Sequence, residues 1–326
     1  MPRLRVAVLY GGRSGEHEVS LQSAESVIAA LDPEKYEVQR ILITREGRWQ
    51  PRPILPDPSA NPGIDVVFPM LHGTFGEDGT VQGLLELAAL PYVGAGVLAS
   101  SVSMDKDVMK RLCLERGLPV VDHVVVKRSH FRPDEICSRF GYPMFVKPAN
   151  LGSSVGITKA KSCEELRAAL ELAGKYDRKI LIERAIEGRE FECSVLGNDQ
   201  PVAAIPCEIV PSREFYDYED KYLLHQAQTI VPANLPEKQI REIQRLAVAC
   251  YQAVECEGMA RVDFLLETST QKIYINEINT VPGFTSISMF ARMWEAAGLS
   301  YAQLLDRLIE LAFERHRERQ ATRYTR

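Results

Sequence analysis

Ala260-Arg261-Val262-Asp263-Phe264 and Asn276-Glu277-Ile278-Asn279-Thr280-Val281-Pro282-Gly283-Phe284-Thr285 are the two stretches whose reading decides this fold. Residues 259–266 and 272–279 are short, apolar and bounded by polar turn residues, so each reads as a strand. The Thr268-Ser269-Thr270-Gln271 run between them suits a hairpin turn. Side chains alternate faces along a strand, which puts Arg261 and Asp263 on one face and Glu277 and Asn279 on one face. If the pair is antiparallel with Asp263 opposite Glu277, those faces coincide and all four groups converge. Two carboxylates and an amide oxygen then make a hard-oxygen set of the kind that holds Mg²⁺ together with phosphate oxygens. A one-residue slip would separate the groups, so this reading depends on register. Taken alone, the hairpin fits solvent-facing polar residues equally well.

Working outward, the composition is that of an ordinary globular chain: 326 residues, 45% hydrophobic and 25% charged, enough for two or three domains. The formal net charge of −5 and the lack of a dense basic block argue against a nucleic-acid partner. Seven cysteines, an odd number without a C-x-x-C pair, read as reduced structural thiols of a cytosolic protein. The apolar run Val6–Tyr10 is too short for a signal peptide, and no run reaches the roughly 18 residues of a membrane span. A cytoplasmic location without membrane association is expected.

Residues 4–10, 36–43 and 64–69 read as strands, and 19–31 as a helix. Strands alternating with helices imply an α/β unit with a parallel sheet, here residues 1–103. A second, smaller α/β unit covers 104–188, with helices at 104–116, 133–140 and 162–172 and strands at 121–126, 144–147 and 179–184. The third, 189–326, holds long strands at 190–196 and 202–210, a helix at 236–254, the hairpin and closing helices. Its polar loop, 211–228, is long enough to suggest a lid.

Five further segments carry chemistry. Lys147-Pro148-Ala149-Asn150-Leu151-Gly152-Ser153-Ser154-Val155-Gly156 ends a strand in a lysine and continues into a Gly/Ser loop. Its N–H groups, hydroxyls and ammonium suit phosphate oxygens. Lys106 opens a helix, where the dipole favours anions; a ligand phosphate would offset that misplacement. Glu183 to Glu190 lies at a junction between units, where pockets form and where acids could bind a ribose or an adenine amino group. Gly11–Glu18 and Leu71–Gly79 follow the first and third strands at one sheet edge, so Glu16 and His72 are expected to share a crevice. Gly94-Ala95-Gly96-Val97-Leu98-Ala99 formally matches a dinucleotide fingerprint, but the strand before it is very short and no acid follows at the required spacing.

Together these segments resemble the ATP-grasp superfamily and, within it, the D-alanine–D-alanine ligases, over roughly residues 4 to 312. The resemblance rests on Gly11–Ser20, Leu71–Gly83, Met104-Asp105-Lys106, Lys147-Pro148, Gly152–Gly156, Phe215–Tyr222, Arg261–Phe264 and Asn276–Thr285, in that order. It implies a three-domain ATP-grasp fold whose N-terminal domain is Rossmann-like. It further implies that Lys106 and Lys147 hold ATP phosphates, covered by Ser153 and Ser154, with Lys221 nearby. Glu183 would meet the adenine and Glu190 the ribose. Asp263, Glu277 and Asn279 would bind two Mg²⁺ or Mn²⁺ ions. Glu16 would hold the ammonium of the first D-alanine, joined by Ser153 and Tyr222. Arg261 and the Gly283 N–H would form the oxyanion hole, and Ser288 with Met289 would receive the carboxylate of the second D-alanine.

The implied reaction makes D-alanyl phosphate and ADP from one D-alanine and ATP. The amine of the second D-alanine then displaces phosphate, which supplies a dipeptide for peptidoglycan. Related ligases that make D-alanyl-D-lactate lack the lysine–tyrosine pair at Lys221 and Tyr222, so an amine second substrate is expected. A homodimer is the family's usual state. The alternatives are another carboxylate–amine ligase of this fold and an ATP-binding protein without turnover. D-alanine-dependent ADP release with a D-alanyl-D-alanine product separates the first reading from both.

Overall fold

The computed structural model describes residues 2–129, 131, 133–152, 155–211, 228–286 and 288–324. Its strands form three sheets among the described residues. In the first, β1 (Leu4–Gly11) runs parallel to β2 (Tyr36–Ile43) and β4 (Val66–Met70), and β3 (Trp49–Gln50) closes one edge antiparallel to β2. Val6, Ala7, Val8 and Leu9 are all fully buried. A parallel sheet covered on both faces requires such a run. Val6 and Val8 pack with Val27 of α1 (His17–Ala30) and with Leu304 and Leu308 of α9 (Tyr301–Gln320). Ala7 and Leu9 pack on the other face with Leu85 of α2 (Thr80–Leu87). The C-terminal helix thus helps form the core of the N-terminal sheet. It starts at a capping box between Ser300 and Gln303. It is pinned by the buried Arg315, which donates to the carbonyls of Tyr92, at 2.8 Å, and Gly94.

The second sheet is antiparallel, in the order β5 (His123–Lys127), β8 (Lys179–Arg184), β6 (Met144–Pro148), β7 (Thr158–Ala160). Two helices, α5 (Pro133–Arg139) and α6 (Cys163–Tyr176), cover it. Its apolar core, built on Met144, Val146, Leu166, Leu170, Ile180 and Ile182, is separate from the others.

The third sheet runs β12 (Gln228–Ile230), β11 (Cys207–Val210), β9 (Gly188–Leu196), β13 (Met259–Glu267), β14 (Ile273–Asn279), with β10 (Val202–Ala203) also on β9. Helix α7 (Glu237–Ala253) covers one face, and α8 (Met289–Ala296) also packs on β9. Two helices between the first and second sheets, α3 (Val97–Met104) and α4 (Lys106–Glu115), add Ala99, Met109 and Cys113 to the same core as α7.

Two expectations need correction. The single strand expected over 202–210 is two strands. Val202 lies opposite Leu196 but Cys207 lies opposite Glu192, one residue out of that register. Pro206, which has no N–H to give the ladder, sits at the break. The helices α2 and α3 were not anticipated; each has only eight residues and begins beside a glycine, too short for a clear 3.6-residue period. Most of the loop expected as a lid, with Lys221 and Tyr222, lies outside the described residues, as do Ser153 and Ser154. Among the described residues no helix is long and apolar enough to cross a membrane.

Candidate active site

The hairpin has the register its chemistry requires. Asp263 is opposite Glu277, and Arg261 is opposite Asn279. Between Asp263 and Phe264 the register shifts, so that Phe264 pairs with Ile275 and Asn276 is the extra residue on β14. Such a bulge breaks strict alternation and re-aims side chains. Consecutive residues Asn276 and Glu277 therefore both line the cleft between the second and third sheets.

On β13 the Arg261 guanidinium grips Asp263 through two bonds of 2.7 Å and lies 3.3 Å from Glu192. Asn279 donates to the same Asp263 carboxylate at 3.1 Å. Burial works against the Arg261 cation, but Asp263 and Glu192 outweigh it and hold its pKa well above the ordinary value. Glu192 was missed in the sequence. It sits two residues beyond Glu190 on β9, directly opposite Asp263, so alternation along β9 could have found it.

Facing this cluster are two lysines, Lys106 and Lys147. Lys106, the first residue of α4, donates to the Leu151 carbonyl at 2.9 Å and pairs with Glu277 at 3.3 Å. The preceding Asp105 caps the helix by accepting from the Val108 N–H, and it anchors Lys179 of β8. Lys147 of β6 lies 2.5 Å from Glu183 Oε2 and donates to Asn276 Oδ1 at 3.3 Å. Glu183 Oε1 in turn lies 2.7 Å from Lys110, a residue the sequence reading did not select. Burial alone would raise the Glu183 pKa, but the two ammonium groups pull it down to about 2. Burial also opposes the Lys147 cation, yet Glu183 and Glu277 push its pKa up. Lys110, with Lys147 as a like charge nearby, is pushed down by burial. Glu190 lines the cleft with Asp263 and Leu265. The cleft continues past Glu190 into a cavity of about 620 Å³ bounded by Phe145, Ile186, Arg189 and Ile209.

Among the described residues no three His, Cys, Asp or Glu side chains stand together as a metal site. The donor set on the hairpin is two carboxylates and one amide, each carboxylate now neutralised by a resident cation. Its chemistry fits a hard divalent ion.

The sheet-edge loops also meet as expected. Glu16 precedes α1, and its Oε2 lies so close to Gly73 that a Cβ there would come within 2.5 Å. A Cβ at Gly152, from the second sheet's loop, would come within 3.3 Å of the same oxygen. Glu16 therefore stands where two loops converge. His72 is buried, and its ring bonds the Val281 carbonyl through Nδ1 and the Ser23 hydroxyl through Nε2, both at 2.9 Å. A carbonyl only accepts, so Nδ1 carries the proton. Burial opposes charge on this ring, while the hydrogen bond and charge of Glu77 raise its pKa. Burial raises the Glu77 pKa as well. His72 thus ties the first sheet to the segment holding Gly283. Beyond it, Ser288 is the residue before α8, whose first residue is Met289; its hydroxyl accepts from the Thr285 N–H at 2.7 Å and makes no cap bond to the helix. A methyl at Gly283 would meet Ser288 Cβ at an ordinary 3.8 Å.

A mostly parallel N-terminal sheet and two facing antiparallel sheets, with lysines on one and carboxylates on the other, define an ATP-grasp architecture. Sequence comparison is more specific. The family described as "D-ala D-ala ligase C-terminus" matches residues 112–310, and "D-ala D-ala ligase N-terminus" matches residues 5–62 and 55–95. The chain is 66% identical to a D-alanine–D-alanine ligase of Solibacter usitatus over 99% of this chain and 100% of the relative. It is 50% identical to one of Thermoanaerobacter sp. over 98% of this chain and 99% of the relative. Among solved structures it superposes on the D-alanine–D-alanine ligase of Coxiella burnetii with a TM-score of 0.87, at 40% identity over 98% of this chain and 97% of that one. The VanG D-Ala:D-Ser ligase of Enterococcus faecalis gives the same TM-score at 38% identity, covering 95% of this chain and 100% of that one. The chain belongs to the D-alanine–D-alanine ligase family.

Proposed function

We propose that this enzyme joins two D-alanine molecules at the expense of ATP, releasing ADP and phosphate, to supply a dipeptide for peptidoglycan. The observation that carries the reading is the meeting of Lys106 of α4 and Lys147 of the second sheet with Glu277 and Asn276 of the third. Basic and acidic groups there form a phosphate-and-metal clamp. Phosphoryl transfer is mainly positioning and charge stabilisation, which this clamp supplies.

In this reading Lys106 and Lys147 bind the ATP phosphates beneath Ser153 and Ser154, with Lys221. Glu183 and Glu190 bind the base and the ribose. Asp263, Glu277 and Asn279 would hold Mg²⁺ or Mn²⁺, which when bound neutralises phosphate charge. Glu16, beside His72 and joined by Ser153 and Tyr222, orients the first D-alanine through its ammonium. Its carboxylate attacks the γ-phosphate to give D-alanyl phosphate. The second D-alanine docks its carboxylate on Ser288 and the Met289 N–H, where a helix N-terminus favours an anion. Its amine attacks the acyl phosphate, and Arg261 with the Gly283 N–H receives the developing oxyanion. The acyl phosphate needs a dry site, a task assigned to the 211–228 loop. The units 1–103, 104–188 and 189–326, a homodimer and a cytoplasmic location belong to the same proposal.

The test is ADP release with ATP and Mg²⁺ in the presence of D-alanine, D-serine or D-lactate, with products weighed. D-alanyl-D-alanine as the main product is expected. D-alanyl-D-serine or D-alanyl-D-lactate as the main product would overturn the second-substrate assignment. Absence of D-alanine-dependent ADP would overturn the reaction.

Gly73→Ala offers a more local check. Gly73 has a φ of 72°, which an L side chain rarely adopts, and the new methyl would meet Glu16 Oε2. The KM of the first D-alanine is expected to rise about tenfold, the cost of losing roughly 1.4 kcal/mol of binding, while the KM of ATP stays put. Equal changes in both would point to general disruption instead.

A further inference from the structure

Lys110 is the fully buried lysine among the described residues that the reaction as described above does not use. It lies one helical turn beyond Lys106 on α4. It does not line the cleft, whereas Lys147 and Glu183 do. Its ammonium forms an ion pair with Glu183 Oε1 at 2.7 Å, outside hydrogen-bond geometry, and has no hydrogen-bond partner among the described residues. Glu183 Oε2 meets Lys147 at 2.5 Å. One carboxylate therefore stands between two ammonium groups, one behind it and one on the cleft side.

We propose that Lys110 is a positioning residue: it keeps Glu183 paired from behind, so that Lys147 is free to leave Glu183 for the nucleotide phosphates. The argument is one of charge. The cluster of two ammonium groups and one carboxylate carries a net charge of +1. Moving Lys147 onto a phosphate leaves Glu183 still neutralised by Lys110. Without Lys110, Lys147 and Glu183 would form a neutral buried pair, and parting them would strand a buried carboxylate, which is strongly disfavoured. Lys147 would then be available for phosphate in only a fraction of molecules, and the apparent affinity would fall by that fraction. This inference rests on the placement of ATP phosphate at Lys147 proposed above.

The experiment is calorimetric titration of the full-length protein with Mg-ATP, without amino acid, for the wild type and for K110M, K147M, E183Q and the double variant K110M/E183Q. K110M takes the cluster charge to zero and is expected to weaken ATP about tenfold or more. Glu183 is also placed at the nucleotide base, so E183Q is the reference for the double variant. With no carboxylate left to strand, removing Lys110 from E183Q is expected to weaken ATP by less than about threefold. A merely structural lysine would cost as much in the E183Q background as in the wild type. Unchanged affinity in K110M, or an equal loss in both backgrounds, would overturn the proposal. If K110M does not fold, the comparison of the double variant with E183Q decides alone: a loss below about threefold supports the proposal, and a larger one overturns it. K147M separates the two readings. Unchanged ATP affinity there would remove the phosphate placement itself, whereas weakening in K147M but not in K110M would sink the role of Lys110 alone.

Discussion

Arg261→Ala is expected to lower kcat by about 10²- to 10³-fold, the usual cost of removing one oxyanion donor, while the KM of ATP changes little. The guanidinium is held in a fork by Asp263 and braced by Glu192, so it is aimed before any substrate arrives. Preorganised donors of this kind require no reorganisation in the transition state. The substitution has a second consequence. Asp263, partly buried, and Glu192, buried, would be left as neighbouring carboxylates with no cation between them. Divalent ions should then bind the nucleotide-free variant more tightly than they bind the wild type. Arg261→Lys keeps the charge but not the planar fork, and should recover only part of kcat. A kcat within about fivefold of the wild type in Arg261→Ala would end the oxyanion assignment.

Glu277→Gln should be comparably damaging by a different route. Glu277 stands opposite Asp263 across the hairpin and is the anionic partner of Lys106. A catalytic metal contributes several kcal/mol of charge stabilisation, so weakening its site should slow turnover by about 10²-fold or more at ordinary Mg²⁺. Raising Mg²⁺ should recover part of that loss, with the activation midpoint displaced to higher concentration. An unshifted Mg²⁺ activation curve would show that Glu277 does not bind the ion.

Much of this site was legible because β-strand chemistry is periodic. The expected antiparallel pairing of Asp263 with Glu277 is the observed one, and it follows from apolar residues claiming the opposite face. The bulge that adds Asn276 to the cleft was not legible, since a register shift leaves no mark in an alternating pattern. Lys110 is a different kind of omission. Its i,i+4 spacing from Lys106 was visible, but helical lysines are ordinarily solvated, and its buried position depends on Glu183, 73 residues away in sequence. Glu192 is a third kind: it shares a strand face with Glu190, so alternation along β9 signals it, while its partner Asp263 lies on β13. The break in the 202–210 segment is signalled by Pro206, which lacks the N–H a continuous strand would need. What tertiary pairing decides, single-strand or single-helix periodicity cannot report.

The apolar core of the second sheet is closed on itself, while the first sheet shares its core with the C-terminal helices. Around the cleft, the second sheet reaches the third through charged and polar contacts, Lys147 with Asn276 and Arg184 with Glu267, whereas α4, which adds Lys106 opposite Glu277, is packed into the third sheet's own core. Mechanically, then, the molecule is a jaw on a frame. Swinging the jaw exposes no greasy interior, and its latches are groups that an incoming phosphate or cation can take over one for one. Closing on ligand becomes an exchange of partners at nearly constant polarity, which is what lets a tight grip also be a reversible one.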